Sequence, residues 1–336
     1  MGSISNRQKM MNKWTEIVKQ INDAQNIVIM THTNMDGDAI GSASALCHAL
    51  RSLSKRCVIL LEDEIPGYLK FMHDHEHGSG DPFFVHEMPF VPQLAIAVDC
   101  GDAGRIEKRL DVYKACATKI CVDHHVQTEK FADYSVVEPD ASATGLLIYQ
   151  LINELNVPVD KEIAEDLYVA IMTDTGCFRY SNTSAQCHLV AAELYKAGIE
   201  YDKLGTLIYD TLPLAQIRLE ALAVDHMELF AENKACISFV TQKQLKDLGA
   251  GYDMTGSCID VLRKVDTVEI AAFLKEHDDE SIKLSLRAKS FADVNSVARA
   301  LGGGGHIKAA GATMNVSMQE ALYMVKQAIE SELSKY

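Results

Sequence analysis

The residues of this chain best suited to chemistry are carboxylates and imidazoles in four clusters. They are His32, Asp36 and Asp38 in Thr31-His32-Thr33-Asn34-Met35-Asp36-Gly37-Asp38, then Asp99, then the triplet Asp123-His124-His125, and finally Asp174. Each cluster alone reads as a helix cap or a turn, and Asp38 stands where an N-cap belongs. Together they describe a dimetal centre. Asp36, Asp38, Asp99 and Asp174 would gather four negative charges, which is costly unless cations neutralise them. Two divalent ions carry the matching positive charge. Carboxylate oxygens with one or two imidazoles suit Mn²⁺ or a similar octahedral ion, whereas structural zinc favours thiolates in a tetrahedral site. Two metals sharing a bridging carboxylate can hold and deprotonate a water for in-line attack on phosphorus. The spacing His32-x₃-Asp36-x-Asp38 lets one loop serve both ions.

Such residues meet only if the elements carrying them end at one place. The β-branched run at 26–30 predicts a buried strand. Ala39, Ala43, Leu46, Leu50 and Leu53 recur at helical spacing. Further strands are expected at 57–61, 94–98 and 119–122, with helices near 143–155, 162–173 and 184–197. This alternation predicts a parallel sheet with helices on both faces. The clusters fall just beyond strand ends, where an open parallel sheet forms its ligand crevice. A weaker stretch at 198–215, closing on Leu212-Pro213, is the expected linker between a catalytic domain (1–197) and a second domain (216–336). The second domain mixes strands at 235–240, 268–274 and 282–287 with a helix near 293–301. It ends in a glycine-rich turn, a short strand and a terminal helix at 317–333.

A length of 336 residues suits two domains. The formal charge is 32 − 47 = −15 on a composition that is 48% hydrophobic and 24% charged, as in soluble globular proteins. An acidic surface excludes long duplex nucleic acid and anionic membrane as partners, but not a small phosphorylated substrate drawn into a local basic pocket. Residues 281–310 offer that pocket: Lys283, Arg287, Lys289, Arg299 and Lys308 oppose only Asp293, a net 5 − 1 = +4. Nine cysteines without CxxC spacing read as reduced thiols of a cytoplasmic protein. No apolar run approaches membrane-spanning length, and no signal-peptide core is present at the N-terminus. Asn6 occupies the Ser/Thr position of a myristoylation signal and so argues against one.

These motifs, in this order, resemble the DHH–DHHA1 phosphoesterase family, named for the triplet that stands here at Asp123-His124-His125. The resemblance covers nearly the whole chain. It includes His32…Asp36-Gly37-Asp38 with Gly41-Ser42, Asp99 in Ala97-Val98-Asp99-Cys100-Gly101-Asp102, and Asp174 in Thr173-Asp174-Thr175-Gly176. It ends with four glycines at 302–305, His306 and Ala309-Ala310-Gly311. The resemblance implies an α/β fold: a parallel-sheet DHH domain with flanking helices, a smaller mixed α/β DHHA1 domain, and an active site in the cleft between them. It implies that His32, Asp36 and Asp99 hold one ion, and that Asp38, Asp99, His124 and Asp174 hold the other, with Asp99 bridging. His125 would sit over the phosphate, stabilising charge or protonating the leaving oxygen, and Asp123 would fix a histidine tautomer. Arg287 in Ser285-Leu286-Arg287-Ala288 matches the family's phosphate-binding arginine. Gly303, Gly304 and Gly305 can bring backbone N–H groups to a phosphate, and His306 can hydrogen-bond it. Arg105 and Lys308 are further substrate candidates. Met35 stands where the family commonly has proline, in the loop and not at a ligand.

Within the family, the glycine-rich C-terminal motif argues against family II inorganic pyrophosphatases. The expected architecture also lacks the added nucleic-acid domain of RecJ exonucleases and the membrane helices of the large cyclic-di-AMP phosphodiesterases. The chain is most similar to the stand-alone nanoRNase/pAp-phosphatase group. That implies hydrolysis of very short oligonucleotides and of 3′-phosphoadenosine 5′-phosphate with two Mn²⁺ ions, Mg²⁺ or Co²⁺ being alternatives; a homodimer is left open. A single tryptophan (Trp14) and one basic island offer no aromatic-lined groove for long strands. Competing readings are a linear or cyclic di-AMP phosphodiesterase, an exopolyphosphatase, and a non-catalytic nucleotide-binding module. Several features are read as structural: His73-Asp74-His75-Glu76-His77 as a solvated polar segment, Cys100 and Cys177 as small hydrophobes, Ser142 and Thr144 as a helix start, and Arg299 as a solvated helix residue.

Overall fold

Six strands run parallel in the first half of the chain: β1 (Asn26–Met30), β2 (Arg56–Leu60), β3 (Phe84–Val85), β4 (Leu94–Val98), β5 (Thr118–Asp123) and β6 (Tyr134–Val137). Their spatial order is β3-β2-β1-β4-β5-β6. The computed structural model describes residues 2–74, 82–125, 130–277 and 281–336. The strands are near-continuous apolar runs because both faces of the sheet are covered. Ile27, Ile29, Ile59, Ile96, Val98, Ile120 and Val122 pack on one face, under α1 (Gly2–Asp23), α2 (Gly37–Ser52), α4 (Thr144–Glu154), α5 (Lys161–Asp174) and α6 (Ala185–Lys196). Val28, Met30, Val58, Leu60, Ala95, Ala97 and Cys121 face the other way, against a 3-10 turn (Ala103–Arg109) and α3 (Leu110–Ala115).

Asp36, and not Asp38, caps α2: its carboxylate accepts the Ala39 N–H at 3.0 Å. Asp38 is thereby left in the first helical turn and is free to reach a different helix. At Gly41 an added Cβ would lie 2.5 Å from the Asp166 carbonyl oxygen and 2.9 Å from the Ala170 nitrogen. Glycine there lets α2 and α5 touch backbone to backbone, which brings the start of one helix and the end of the other to the same crevice.

The chain divides into two units, Met1–Thr211 and Leu212–Tyr336. Half of the stretch expected to be a linker is α7 (Tyr201–Tyr209), whose Leu204 and Ile208 are buried in the first unit's core. Gly205 within it weakens the helical signal. The second unit has a mixed sheet of β7 (Glu228–Phe230), β8 (Ala235–Val240), β9 (Ile270–Glu276), β10 (Ile282–Ala288), β11 (Gly304–Gly305) and β12 (Ala309–Met314), in the order β11-β12-β10-β9-β8-β7. Only the β8–β9 pair is parallel. Ile270, Ala272, Leu274, Leu284, Leu286 and Ala312 pack beneath α11 (Val294–Ala300) and α12 (Met318–Leu333). Cys236, Val240, Ala271 and Phe273 pack beneath α8 (Leu214–Asp225) and α10 (Cys258–Arg263), with α9 (Gln242–Leu248) beside them. Among the described residues no helix is long and apolar enough to cross a membrane.

Candidate metal centre

In the first sheet the strand order reverses at β1: the chain leaves β1 for β2 on one side, while β4 lies on the other. The carboxyl ends at such a switch point form a natural crevice. His32 and Asp36 follow β1, Asp99 follows β4, Asp123 ends β5 with His124 and His125 just beyond it, and Asp174 ends α5. Asp99 adopts a left-handed backbone (φ +54°), a conformation that costs of order 1–3 kcal/mol in a residue with a Cβ. Its N–H donates to the Val122 carbonyl at 3.0 Å, holding that turn to β5.

The structure brings the sequence-selected groups together around Asp99. His32 Nε2 lies 3.4 Å from Asp99 Oδ2 and 3.9 Å from Asp36 Oδ2. His124 Nε2 lies 3.7 Å from each of Asp38 Oδ2, Asp99 Oδ1 and Asp174 Oδ2. The two oxygens of one buried carboxylate therefore face two different donor groups. Both imidazoles are oriented from behind: His32 Nδ1 sits 2.7 Å from the Thr33 carbonyl and His124 Nδ1 sits 3.1 Å from the Ala141 carbonyl. A carbonyl only accepts, so each Nδ1 carries a proton and each ring turns its Nε2 to the carboxylates. Lone pairs facing lone pairs repel unless a proton or a cation stands between them.

This set of nitrogen and oxygen donors fits two divalent cations. His32, Asp36 and Asp99 form one candidate group; Asp38, His124 and Asp174 form a second; and Asp99, His124 and His125 form a third that joins them. No thiolate intervenes. Cys100 is buried with its Sγ toward the Asp102 carbonyl, burial pushes its thiol up to about 12, and Cys177 is exposed. The side chains of the His73–His77 cluster lie outside the described residues.

The electrostatics report the same crowding. Burial, and then the charges of Asp99, Asp174 and Asp36, push Asp38 well above the usual carboxylate range against the pull of the Thr144 N–H. Burial and the charges of Asp36 and Asp99 raise Asp174 to about 6, although His124 opposes them. Asp99 moves the other way: burial pushes it up, but the His32 hydrogen bond and the charges of His125, His32 and His124 outweigh that. His32 is raised by its bond to Asp99 and by the charges of Asp36 and Asp99, despite burial.

A second ring of donors fixes the carboxylates. Thr144 and Gly145 donate backbone N–H groups to Asp38 at 2.7 and 3.0 Å, and Ser42 Oγ donates to the same side chain at 3.0 Å. The N-cap of α4, Ala143, offers no side-chain oxygen, so Asp38 of α2 takes the orphan amides of that helix. Thr144 Oγ1 donates to Asp99 Oδ1 at 2.9 Å. Thr144 does start a helix, as expected, and it also orients the central carboxylate, a role its sequence did not reveal. Asn182 donates to the Asp174 carbonyl at 3.0 Å and to its Oδ2 at 3.3 Å. Buried Arg109 donates to the carbonyls of Leu60 (3.0 Å) and Thr31 (2.9 Å), tying the ends of β2 and β1 beneath the loop that carries His32. Sequence reasoning missed Arg109 and Asn182, since an isolated arginine or asparagine carries no spacing signal.

Asp123 is fully buried, and its Oδ1 lies 2.8 Å from His125 Nδ1 and accepts the His125 N–H at 3.1 Å. The bond to Asp123, with the charge of Asp99, raises His125 to about 9 against its burial and the nearby charge of Arg105. Half-buried Arg105 is thus close to His125, and its carbonyl accepts the Thr33 N–H at 3.0 Å.

In the second unit, partly buried Arg287 donates Nη1 to the Leu286 carbonyl at 3.0 Å. Gly303 has no room for a side chain, since a Cβ would fall 2.1 Å from the Gly311 oxygen; at Gly305 the Ala309 oxygen would lie 2.6 Å away. At Gly304 a Cβ would make only an ordinary contact, 3.8 Å from Asn295 Oδ1. The glycine run therefore has a packing reason of its own. His306 is exposed, and its N–H donates to the Ala309 carbonyl at 2.8 Å. Lys308 Nζ is bound to the carbonyls of Ser290 and Ala292, so its ammonium is already engaged. Arg299 is exposed near the end of α11.

The "DHH family, N-terminal domain" matches residues 26–171 and the "DHHA1 domain" matches residues 232–335. The chain is 31% identical over 316 residues to the bifunctional oligoribonuclease and PAP phosphatase NrnA of Thermus thermophilus, covering 92% of this chain and 90% of that one. It is 26% identical over 303 residues to the NrnA of Bacillus subtilis, covering 89% and 93%. The crystal structure of an exopolyphosphatase-related protein from Bacteroides fragilis superposes with a TM-score of 0.87 at 26% identity, covering 96% of each chain. With both domains matched and a relative this similar along most of its length, the chain belongs to the DHH–DHHA1 phosphoesterase family.

Proposed function

We propose that this protein hydrolyses phosphoester bonds of dinucleotides, other very short oligonucleotides and 3′-phosphoadenosine 5′-phosphate, with two divalent ions, Mn²⁺ first among them. The observation that carries this reading is Asp99: its two oxygens face two separate histidine–aspartate groups, as a bridging ligand must. His32, Asp36 and Asp99 would hold one ion and Asp38, Asp99, His124 and Asp174 the other. Bound there, the ions supply an activated water and neutralise charge on the phosphate. The chain's own residues do the rest. Asp99 and Asp38, held by Thr144, Gly145 and Ser42, fix where the donors point. His125, held through Nδ1 by Asp123, hands its Nε2 proton to the leaving oxygen as the phosphorus–oxygen ester bond breaks. Water supplies the incoming oxygen, so the products are a phosphate monoester or inorganic phosphate and a free hydroxyl.

In the second unit, Arg287, His306 and the amides of Gly304 and Gly305 hold a substrate phosphate, while the Gly303 N–H, expected among them, already donates to the Ala298 carbonyl at 2.8 Å; in the first unit Arg105 is a further substrate candidate. Lys308 contributes by locking the 290–292 turn rather than by direct contact. The described cysteines form no disulfide, which supports a reducing, cytoplasmic setting. The deciding experiment incubates purified protein and Mn²⁺ with a dinucleotide, a 24-mer and 3′-phosphoadenosine 5′-phosphate, and resolves the products by chromatography. Mononucleotide release from the dinucleotide should far outpace release from the 24-mer; equal rates would overturn the reading. The Bacteroides fragilis relative is described as exopolyphosphatase-related, and polyphosphate in the same assay separates that alternative: phosphate release indifferent to nucleobases would favour it.

A further inference from the structure

The chain that leaves the end of α5 takes an improbable course. After Asp174 and Thr175, three successive residues have a left-handed backbone: Gly176 (φ +55°), Cys177 (φ +59°) and Phe178 (φ +60°). Residues with a Cβ rarely adopt it singly, let alone in pairs, because the Cβ crowds the following carbonyl. The surroundings hold the turn in place. Thr175 Oγ1 accepts the Phe178 N–H at 3.1 Å, and the Thr175 carbonyl accepts the N–H groups of Arg179 and Tyr180 at 2.9 and 3.0 Å. The Cys177 N–H donates to the Met172 carbonyl at 2.7 Å, and Arg179 Nε donates to the Gly176 carbonyl at 2.6 Å. Phe178 anchors the turn to the core, with its ring 6.0 Å from that of Tyr168 and stacked on His188 at 5.3 Å. Asn182, two residues past Tyr180, reaches back to the Asp174 carbonyl and carboxylate. The segment thus starts from a candidate metal ligand and closes on it again. Backbone strain maintained in this way beside a candidate metal centre points to a function.

What the turn presents is the ring of Tyr180. A Cβ added at Gly176 would lie 2.4 Å from Tyr180 Cζ, 2.5 Å from Cε2 and 2.6 Å from Cε1. Three nearly equal distances put that point over the face of the ring and not at its edge. The ring therefore lies flat on the glycine backbone, and any side chain at that position would displace it. Tyr180 is nonetheless 47% exposed, and among the described residues no other ring stacks on it. One face of the ring is covered by Gly176 and the other is open to solvent. A lone exposed aromatic is ordinary on a protein surface. An aromatic laid flat on a turn of this kind is a preorganised surface for a second planar group, since the side chain has little freedom left to lose when that group lands on it.

We propose that Tyr180 is the platform on which a nucleobase of the substrate stacks while the scissile phosphate is held at the metal centre. The inference rests on the functional reading above and adds to it a residue that selects for a base without distinguishing which base, since every base offers a π-face. The test uses full-length, Mn²⁺-loaded protein with a 5′-phosphorylated adenosine dinucleotide and its two analogues that each lack one adenine. Tyr180→Ala should raise KM for the dinucleotide about tenfold, within the range of one lost base–aromatic stack, with kcat held within twofold. Mn²⁺ affinity by isothermal titration should also stay within twofold, which separates stacking from damage to the Asp174 turn. The analogue missing the stacked base should already show the raised KM with wild-type protein and change less than twofold in Tyr180→Ala. Tyr180→Phe keeps the ring and should keep the wild-type KM. An unchanged KM in Tyr180→Ala, or an equal rise for the dinucleotide and both analogues, would overturn this inference alone. A wild-type protein that cleaves no dinucleotide would overturn the functional reading, and this inference with it.

Discussion

Asp99 concentrates the chemistry of the first unit in one side chain. Its carboxylate divides between His32 and His124, and Thr144 Oγ1 holds one of its oxygens. Asp99→Ala should abolish turnover of a dinucleotide, a loss exceeding about 10³-fold for a group that joins both donor sets. Thr144→Val keeps the shape and removes the hydroxyl. Mn²⁺ affinity by isothermal titration should fall about 10–100-fold, and Thr144→Ser should recover it; a valine variant binding like wild type would reject the orienting role. The titrations make a further prediction. Asp174, raised from 3.8 to about 6, favours the folded state at low pH and loses that contribution as pH rises through 6. His125, raised from 6.5 to about 9, loses its contribution between those two values. Both trends weaken the metal-free protein as pH climbs, while cations relieve the carboxylate repulsion. The gap in Tm between Mn²⁺-loaded and EDTA-treated protein should therefore widen from pH 5 to pH 9, and a constant gap would contradict the crowding of charge.

At the scale of elements, the centre depends on three helices that meet almost without side chains between them. Gly41 lets α2 lie against α5, and at Gly145 a Cβ would meet the Ala170 Cβ at 2.7 Å. Gly41→Ala should destabilise the protein by about 1–3 kcal/mol through overpacking and, by prying α2 from α5, weaken Mn²⁺ binding as well. Urea unfolding with a parallel metal titration measures both, and a variant of unchanged midpoint would show that the helices can separate at no cost. The elements themselves were legible. The strand expected at 26–30 is β1, and the helical spacing of Ala39, Ala43, Leu46 and Leu50 is the buried face of α2. Short edge strands β3 and β6 and helix α7 were not: two to four residues at a sheet edge, or a helix with a central glycine, give too little periodicity to read.

For the whole molecule, charge sets the class of partner. A formal −15 repels long polyanions, while the local basic run at 281–310 suits a compact one. Turnover of a dinucleotide should therefore depend only weakly on salt. Whatever cleavage a 24-mer undergoes should lack the steep loss with rising salt that follows release of many counterions. A rate profile across KCl concentrations decides this, and a steep slope for the long substrate would overturn it.

The sequence by itself determined the kinds of groups, their order and the elements that present them. Carboxylates and imidazoles after apolar runs are local patterns, and helical and strand periodicity is local too. It even placed Asp123 beside His125, because two residues apart at a strand end they have little choice. What only the tertiary structure decided is which atom faces which. The cap of α2 moved to Asp36 because Asp38 is taken by the amides of α4, more than a hundred residues away. Thr144, Asn182 and Arg109 became part of the site through bonds that span 45, 8 and 78 residues. Lys308, a phosphate candidate by position, is spent on two carbonyls. A hydrogen bond is settled by distance in space, and the chain order carries that distance only where the partners are neighbours along it.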